Sequence, residues 1–79
     1  MNISEALAWI SDLFEEPPER ITADMPKDDI PGWDSLGVLT LMAALDERFG
    51  VQLTEEEMEE MQNVSDILAV LRRAGALEA

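Results

Sequence analysis

Cysteine and histidine are both missing from the 79 residues. Without cysteine there is no disulfide frame, and the chain has no thiolate chemistry of its own. Without histidine it lacks the usual general base, the commonest metal ligand and every histidine-dependent nucleophile arrangement. Lysine is nearly absent too: Lys27 is the sole lysine, and the five basic residues face 18 acids for a net charge of −13. That balance argues against nucleic acid as a partner, since its phosphates would be repelled. It favours partners with basic docking surfaces, because complementary fields speed encounter. No apolar run approaches the roughly 20 residues that span a bilayer, so membrane insertion is not expected. Met1-Asn2-Ile3-Ser4-Glu5 lacks the basic-then-apolar layout of a signal peptide. The expected compartment is the cytoplasm.

What is present is a 47% apolar composition with helical periodicity, which argues against disorder. The length makes one small domain, residues 1–79, burying about 60% of its unfolded surface around a single modest core. Asn2 to Phe14 reads as helix 1, with Asn2 and Glu5 forming a capping box. Ile3, Leu7, Ile10 and Phe14 make its apolar stripe, with Ala6 and Leu13 beside it and Trp9 at its edge. Glu15-Glu16-Pro17-Pro18 ends it, since residues before proline leave the helical region.

Residues 15 to 34 form a loop carrying all four prolines, with Ile21, Met25 and Ile30 as anchors. A loop that long in a compact domain usually has a function. Asp24, Asp28 and Asp29 do not make a calcium loop: Pro26 and Ser35 stand where oxygen ligands are required. Ser35 to Phe49 is helix 2, stopped by Gly50. Its core face holds Val38, Leu41, Met42, Leu45 and Phe49. Leu36, Leu39 and Ala43 lie on the opposite face, either covered by the long loop or left as an exposed docking patch.

Thr54 and Glu57 cap a short helix 3, Glu55 to Met61, in which only Met58 and Met61 are free to pack. Asn63 and Asp66 cap helix 4, striped by Val64, Ile67, Leu68 and Leu71. Arg72 and Arg73 suit the negative end of that helix. Gly75 stops it, and Leu77-Glu78-Ala79 is expected to fray. The sum is an all-α, small four-helix bundle of three longer helices and a short helix 3, with a long loop between helices 1 and 2.

Catalysis within the chain finds no support. A seryl nucleophile needs a neighbouring base, and none is evident beside Ser35. The carboxylates lie on solvated faces without ligand spacing, so no metal site is expected. A serine that another enzyme modifies remains. At the first turn of helix 2, a phosphate on Ser35 would face backbone N–H groups and the positive end of the helix dipole. Asp34 could orient incoming groups, and Leu36 offers an apolar contact. An ordinary capping serine is the competing reading of Asp34-Ser35-Leu36 alone.

The wider pattern decides between them. Asp34-Ser35-Leu36 after a loop is followed by Leu41-Met42-Ala43-Ala44-Leu45-Asp46-Glu47-Arg48-Phe49-Gly50-Val51. Leu53, an acidic short helix and Val64 then complete a sequence that resembles the acyl carrier protein family over nearly its whole length. The resemblance implies that Ser35 carries 4′-phosphopantetheine, attached from coenzyme A by a phosphopantetheinyl transferase. The thiol of that arm would hold acyl groups as thioesters, which reconciles thiol chemistry with a chain lacking cysteine. It implies a free-standing, monomeric, specialised bacterial carrier and not an enzyme. Such a carrier would serve acyl-transferring or condensing enzymes of fatty-acid, lipid or specialised acyl biosynthesis.

Partner docking is expected on Trp33, Gly37, Leu39, Thr40, Ala43, Glu47, Glu55 and Glu59, and a bound acyl chain would enter the bundle between helix 2 and its neighbours, lined by Met42, Leu45 and Phe49. Gly37 and Thr40 stand where the family typically places acids, and Trp33 replaces a usual small residue. Gly37 also weakens the helix start by about 1 kcal/mol relative to alanine, which either marks a close approach or is drift. A peptidyl, aryl or D-alanyl carrier serving an adenylating enzyme, and a non-carrier acidic interaction module, are the alternatives.

Overall fold

Three of the four helices open on reciprocal caps. In the computed structural model, which describes residues 1–78, Asn2 accepts from the Glu5 N–H (2.8 Å) and Glu5 accepts from the Asn2 N–H (2.9 Å), starting α1 (Ile3–Leu13). Asp34 alone caps α2 (Ser35–Phe49). Thr54 with Glu57 opens α3 (Glu55–Glu60), and Asn63 with Asp66 opens α4 (Val64–Arg73). Each box satisfies helix-end donors that would otherwise face water or nothing. The architecture is all-α, with three longer helices and one short one.

The core is a single cluster. α1 and its C-cap contribute Ala6, Ile10 and Phe14, α2 contributes Leu41 and Leu45, and α4 contributes Val64, Ile67, Leu68, Val70 and Leu71. Met58 and Met61 fasten the acidic α3, as its sequence allows and nothing else in it could. The buried face of α1 runs through Ala6, Ile10 and Phe14, whereas Ile3 in the first turn is 44% exposed. Trp9 packs edge-on against Phe49 at 5.5 Å, with the Arg48 guanidinium over both rings.

The chain end also departs from expectation. Leu77 is buried in the core, and the Glu78 N–H donates to the Met1 carbonyl at 2.8 Å. Leu77 is therefore packed and the exposed Glu78 held by its backbone where fraying was expected, while Ala79 lies outside the described residues. A buried leucine and a backbone pair across the chain ends supply what local sequence does not show.

The long loop is ordered by the helices it crosses. Two short 3₁₀ turns, Pro18–Arg20 and Lys27–Asp29, break it into segments. Ile21 and Ile30 are buried anchors and Met25 is half-buried. Between them the backbone pairs with the α3–α4 link: the Lys27 N–H donates to the Gln62 carbonyl and the Val64 N–H to the Met25 carbonyl, both at 2.9 Å.

The loop then turns tightly under the start of α2. A Cβ on Gly32 would lie 1.9 Å from the Phe14 carbonyl oxygen, and a Cβ on Gly37 would lie 2.0 Å from the Gly32 carbonyl oxygen. Trp33 stacks on Phe14 at 5.2 Å. These contacts fix where the first turn of α2 emerges from the bundle.

Candidate functional site

Asp34 and Ser35 divide two tasks that one residue often performs. The Gly37 N–H donates to Asp34 Oδ1 at 2.8 Å, so the cap belongs to Asp34. Ser35 is the first helical residue, is exposed, and among the described residues its hydroxyl makes no hydrogen bond. A capping serine would have its oxygen engaged with the backbone. The Ser35 oxygen is instead free, at a helix start whose dipole favours an attached anion.

Beside it lies an open cleft of about 430 Å³ between the loop, α2 and α3. Trp33, Val38, Leu39 and Met58 give it apolar walls, while Lys27, Asp28, Asp34, Ser35, Glu55 and Glu59 supply its polar groups. A smaller cleft of about 280 Å³ lies toward the end of α1, lined by Phe14, Gly32, Leu36 and Thr40 among others. The first turns of α2 thus form a ridge bordered by two depressions.

Along that ridge Leu36 is 73% exposed and Leu39 55% exposed, with Ala43 exposed further along. The long loop does not cover them, so the open alternative from the sequence is the one the fold adopts. Thr40 is exposed and its hydroxyl donates to the Leu36 carbonyl (2.9 Å), turning it back onto its own helix. Glu47, Glu55 and Glu59 are exposed, the last two across the cleft from Ser35.

One expected docking residue needs correction. Gly37 is buried against Gly32 and Phe14, so it is a packing residue rather than a docking one. Its lack of a side chain answers to the loop beneath it. Met42, Leu45 and Phe49, expected to line an acyl pocket inside the bundle, run along the inner side of α2: Leu45 is buried in the core, Met42 is half-buried against it, and Phe49 packs on Trp9. The apolar lining nearest Ser35 is Trp33, Val38, Leu39 and Met58. Val38 and Leu39, one turn from Ser35, were within reach of helical spacing. Lys27, Asp28 and Met58 were not, because they arrive from other segments.

A free hydroxyl at a helix start beside an open cleft is accessible to an enzyme that modifies serine. Comparison with known proteins agrees. Residues 5–71 match the family described as the phosphopantetheine attachment site. An acyl carrier protein of Thermosynechococcus vestitus is 35% identical over 72 residues, covering 86% of this chain and 89% of that one. An acyl carrier protein of Akkermansia muciniphila is 33% identical over 64 residues, covering 81% of this chain and 80% of that one. Acyl carrier protein MbtL of Mycolicibacterium paratuberculosis is 35% identical over 68 residues, covering 86% and 76%. The chain belongs to the acyl carrier protein family, whose prosthetic group is 4′-phosphopantetheine. Its residues fit that group: an unengaged hydroxyl is available for attachment, and the adjoining cleft leaves room beside it.

Proposed function

We propose that this acyl carrier is loaded at Ser35 and delivers its cargo through the α2 ridge, as a single carrier domain spanning residues 1–79 with no catalysis of its own. The observation that carries the reading is the free Ser35 hydroxyl beside an Asp34 that takes the cap. In the loading step Ser35 Oγ forms a bond to the pantetheine-bearing phosphorus of coenzyme A. The bond from that phosphorus to the nucleotide portion breaks, and the serine proton passes to a base on the phosphopantetheinyl transferase. The arm, once attached, supplies a thiol that holds an acyl group as a thioester.

The surroundings of Ser35 indicate how partners engage. Leu36, Leu39 and Ala43 lie at helical spacing on the exposed side of α2 and offer an apolar strip. Glu47, Glu55 and Glu59 flank it with negative charge. A partner with an apolar contact inside a basic rim fits this face, the charges guiding encounter and the apolar strip supplying contact area. Acyl-transferring and condensing enzymes of a specialised pathway are the partners proposed. Thr40, neutral and bonded to its own helix, leaves the middle of the face without charge.

Intact-mass measurement tests the central step. Incubation with coenzyme A and a broad-specificity transferase should add one phosphopantetheine mass to the wild type and none to Ser35→Ala. A wild type left unmodified by several transferases overturns the reading. Offering acyl groups and amino acids to the loaded protein with their activating enzymes then separates an acyl carrier from a peptidyl one.

A further inference from the structure

We infer that Lys27 is the counter-ion of the arm's phosphodiester and draws the root of the arm into the cleft between the loop, α2 and α3. The inference rests on attachment at Ser35. Lys27 is the only basic residue lining that cleft, which it shares with Ser35 and the carboxylates of Asp28, Asp34, Glu55 and Glu59. Among the described residues the one ion pair is Arg20 with Glu16, so the Lys27 ammonium is not held by any of these acids.

The other cations are committed or distant. Arg48 lies over Trp9 and Phe49, Arg72 and Arg73 are in the last turn of α4, and Arg73 lines a separate cleft. Lys27 is also held in place. Its N–H donates to the Gln62 carbonyl, and its own carbonyl accepts from the Ile30 N–H (3.0 Å), so the backbone carrying the half-buried side chain is fixed at both ends.

Attachment would add a further negative charge to a cleft that already holds four carboxylates. Repulsion from Asp34, Glu55 and Glu59 disfavours most directions for the phosphodiester, and beyond the start of α2 itself Lys27 is the one attractive side chain that the cleft offers. A lysine suits this position because its flexible stem and three donors follow a phosphate without demanding one fixed geometry. The pair is partly exposed, so it biases the arm and does not lock it. The bias lays the arm along Trp33, Val38, Leu39 and Met58.

Phosphorus NMR of the loaded protein tests this, with loading checked by intact mass and folding by thermal melting. Wild type, Lys27→Met and Lys27→Arg are compared from roughly 0.01 to 1 M salt, a range in which the screening length falls from about 30 to about 3 Å. The wild-type resonance at low salt should differ from that of Lys27→Met and move toward it as salt rises. Lys27→Arg should follow the wild type, while Lys27→Met stays nearly constant. Coincident low-salt resonances of wild type and Lys27→Met, or a wild-type resonance indifferent to salt, overturn the inference and leave loading at Ser35 intact. A wild type with no phosphopantetheine mass overturns the carrier reading, and the role of Lys27 with it.

Discussion

Gly37 sits so close to Gly32 that a methyl group on it would stand 2.0 Å from the Gly32 carbonyl oxygen. The obstacle is backbone, held in turn against the Phe14 carbonyl, so it cannot swing aside as a side chain would. Helix propensity favours alanine over glycine by about 1 kcal/mol, whereas forcing a methyl into a tight contact costs about 1–3 kcal/mol, or more where backbone must move. The second effect wins. Because the obstacle is backbone, the cost lies at or above the upper end of that range, and Gly37→Ala should lower stability by about 2 kcal/mol or more net in urea unfolding. A stabilised variant would show that the close contact is absent in solution.

Asp34 carries two separable contributions. Its side chain caps α2 through the Gly37 N–H, and its charge stands beside Ser35. Asparagine caps as well as aspartate, and alanine does not, at a cost of about 1 kcal/mol. Asp34→Ala should lower the melting temperature while Asp34→Asn leaves it nearly unchanged. If the carboxylate also orients incoming groups, both variants should load coenzyme A more slowly. Equal loading by Asp34→Asn and wild type would restrict Asp34 to capping.

Glu15 holds the left-handed conformation (φ 57°) that ends α1, with the Glu16 N–H bonded to the Ser11 carbonyl at 2.9 Å. A side chain there costs about 1–2 kcal/mol, and glycine removes that strain while losing roughly 0.5–1 kcal/mol to chain entropy. Glu15→Gly should therefore stabilise the fold by about 0.5–1 kcal/mol. Chemical denaturation measures it, and a loss of stability would contradict the assigned backbone geometry.

Leu36 and Leu39 are exposed, so truncating or charging them should hardly touch stability, within about 0.5 kcal/mol. Leu39→Asp is expected to melt like the wild type but to slow transfer of cargo to a cognate enzyme. Normal transfer by both Leu36→Asp and Leu39→Asp would move the docking face elsewhere.

Much of this protein is determined by its sequence, because the signals involved are local. Asn2 with Glu5, Thr54 with Glu57 and Asn63 with Asp66 mark three helix starts through bonds spanning three residues. Ser35 to Phe49 matches α2 end to end, since Asp34 and Gly50 bound it by caps that depend on neighbouring residues alone. The place of Ser35 in the first turn of α2 was legible from Asp34-Ser35-Leu36 in its setting. What only the tertiary structure decided depends on segments far apart in the chain. Gly37 gains its meaning from the Gly32 carbonyl, Leu77 from a core it joins at the end of the chain, and Leu36 and Leu39 from a loop that passes without covering them. Lys27 meets Ser35 across one cleft because backbone bonds to Gln62 and Val64 pin the loop to the α3–α4 link. Local spacing cannot register such meetings, because they follow from how the whole chain closes around its core.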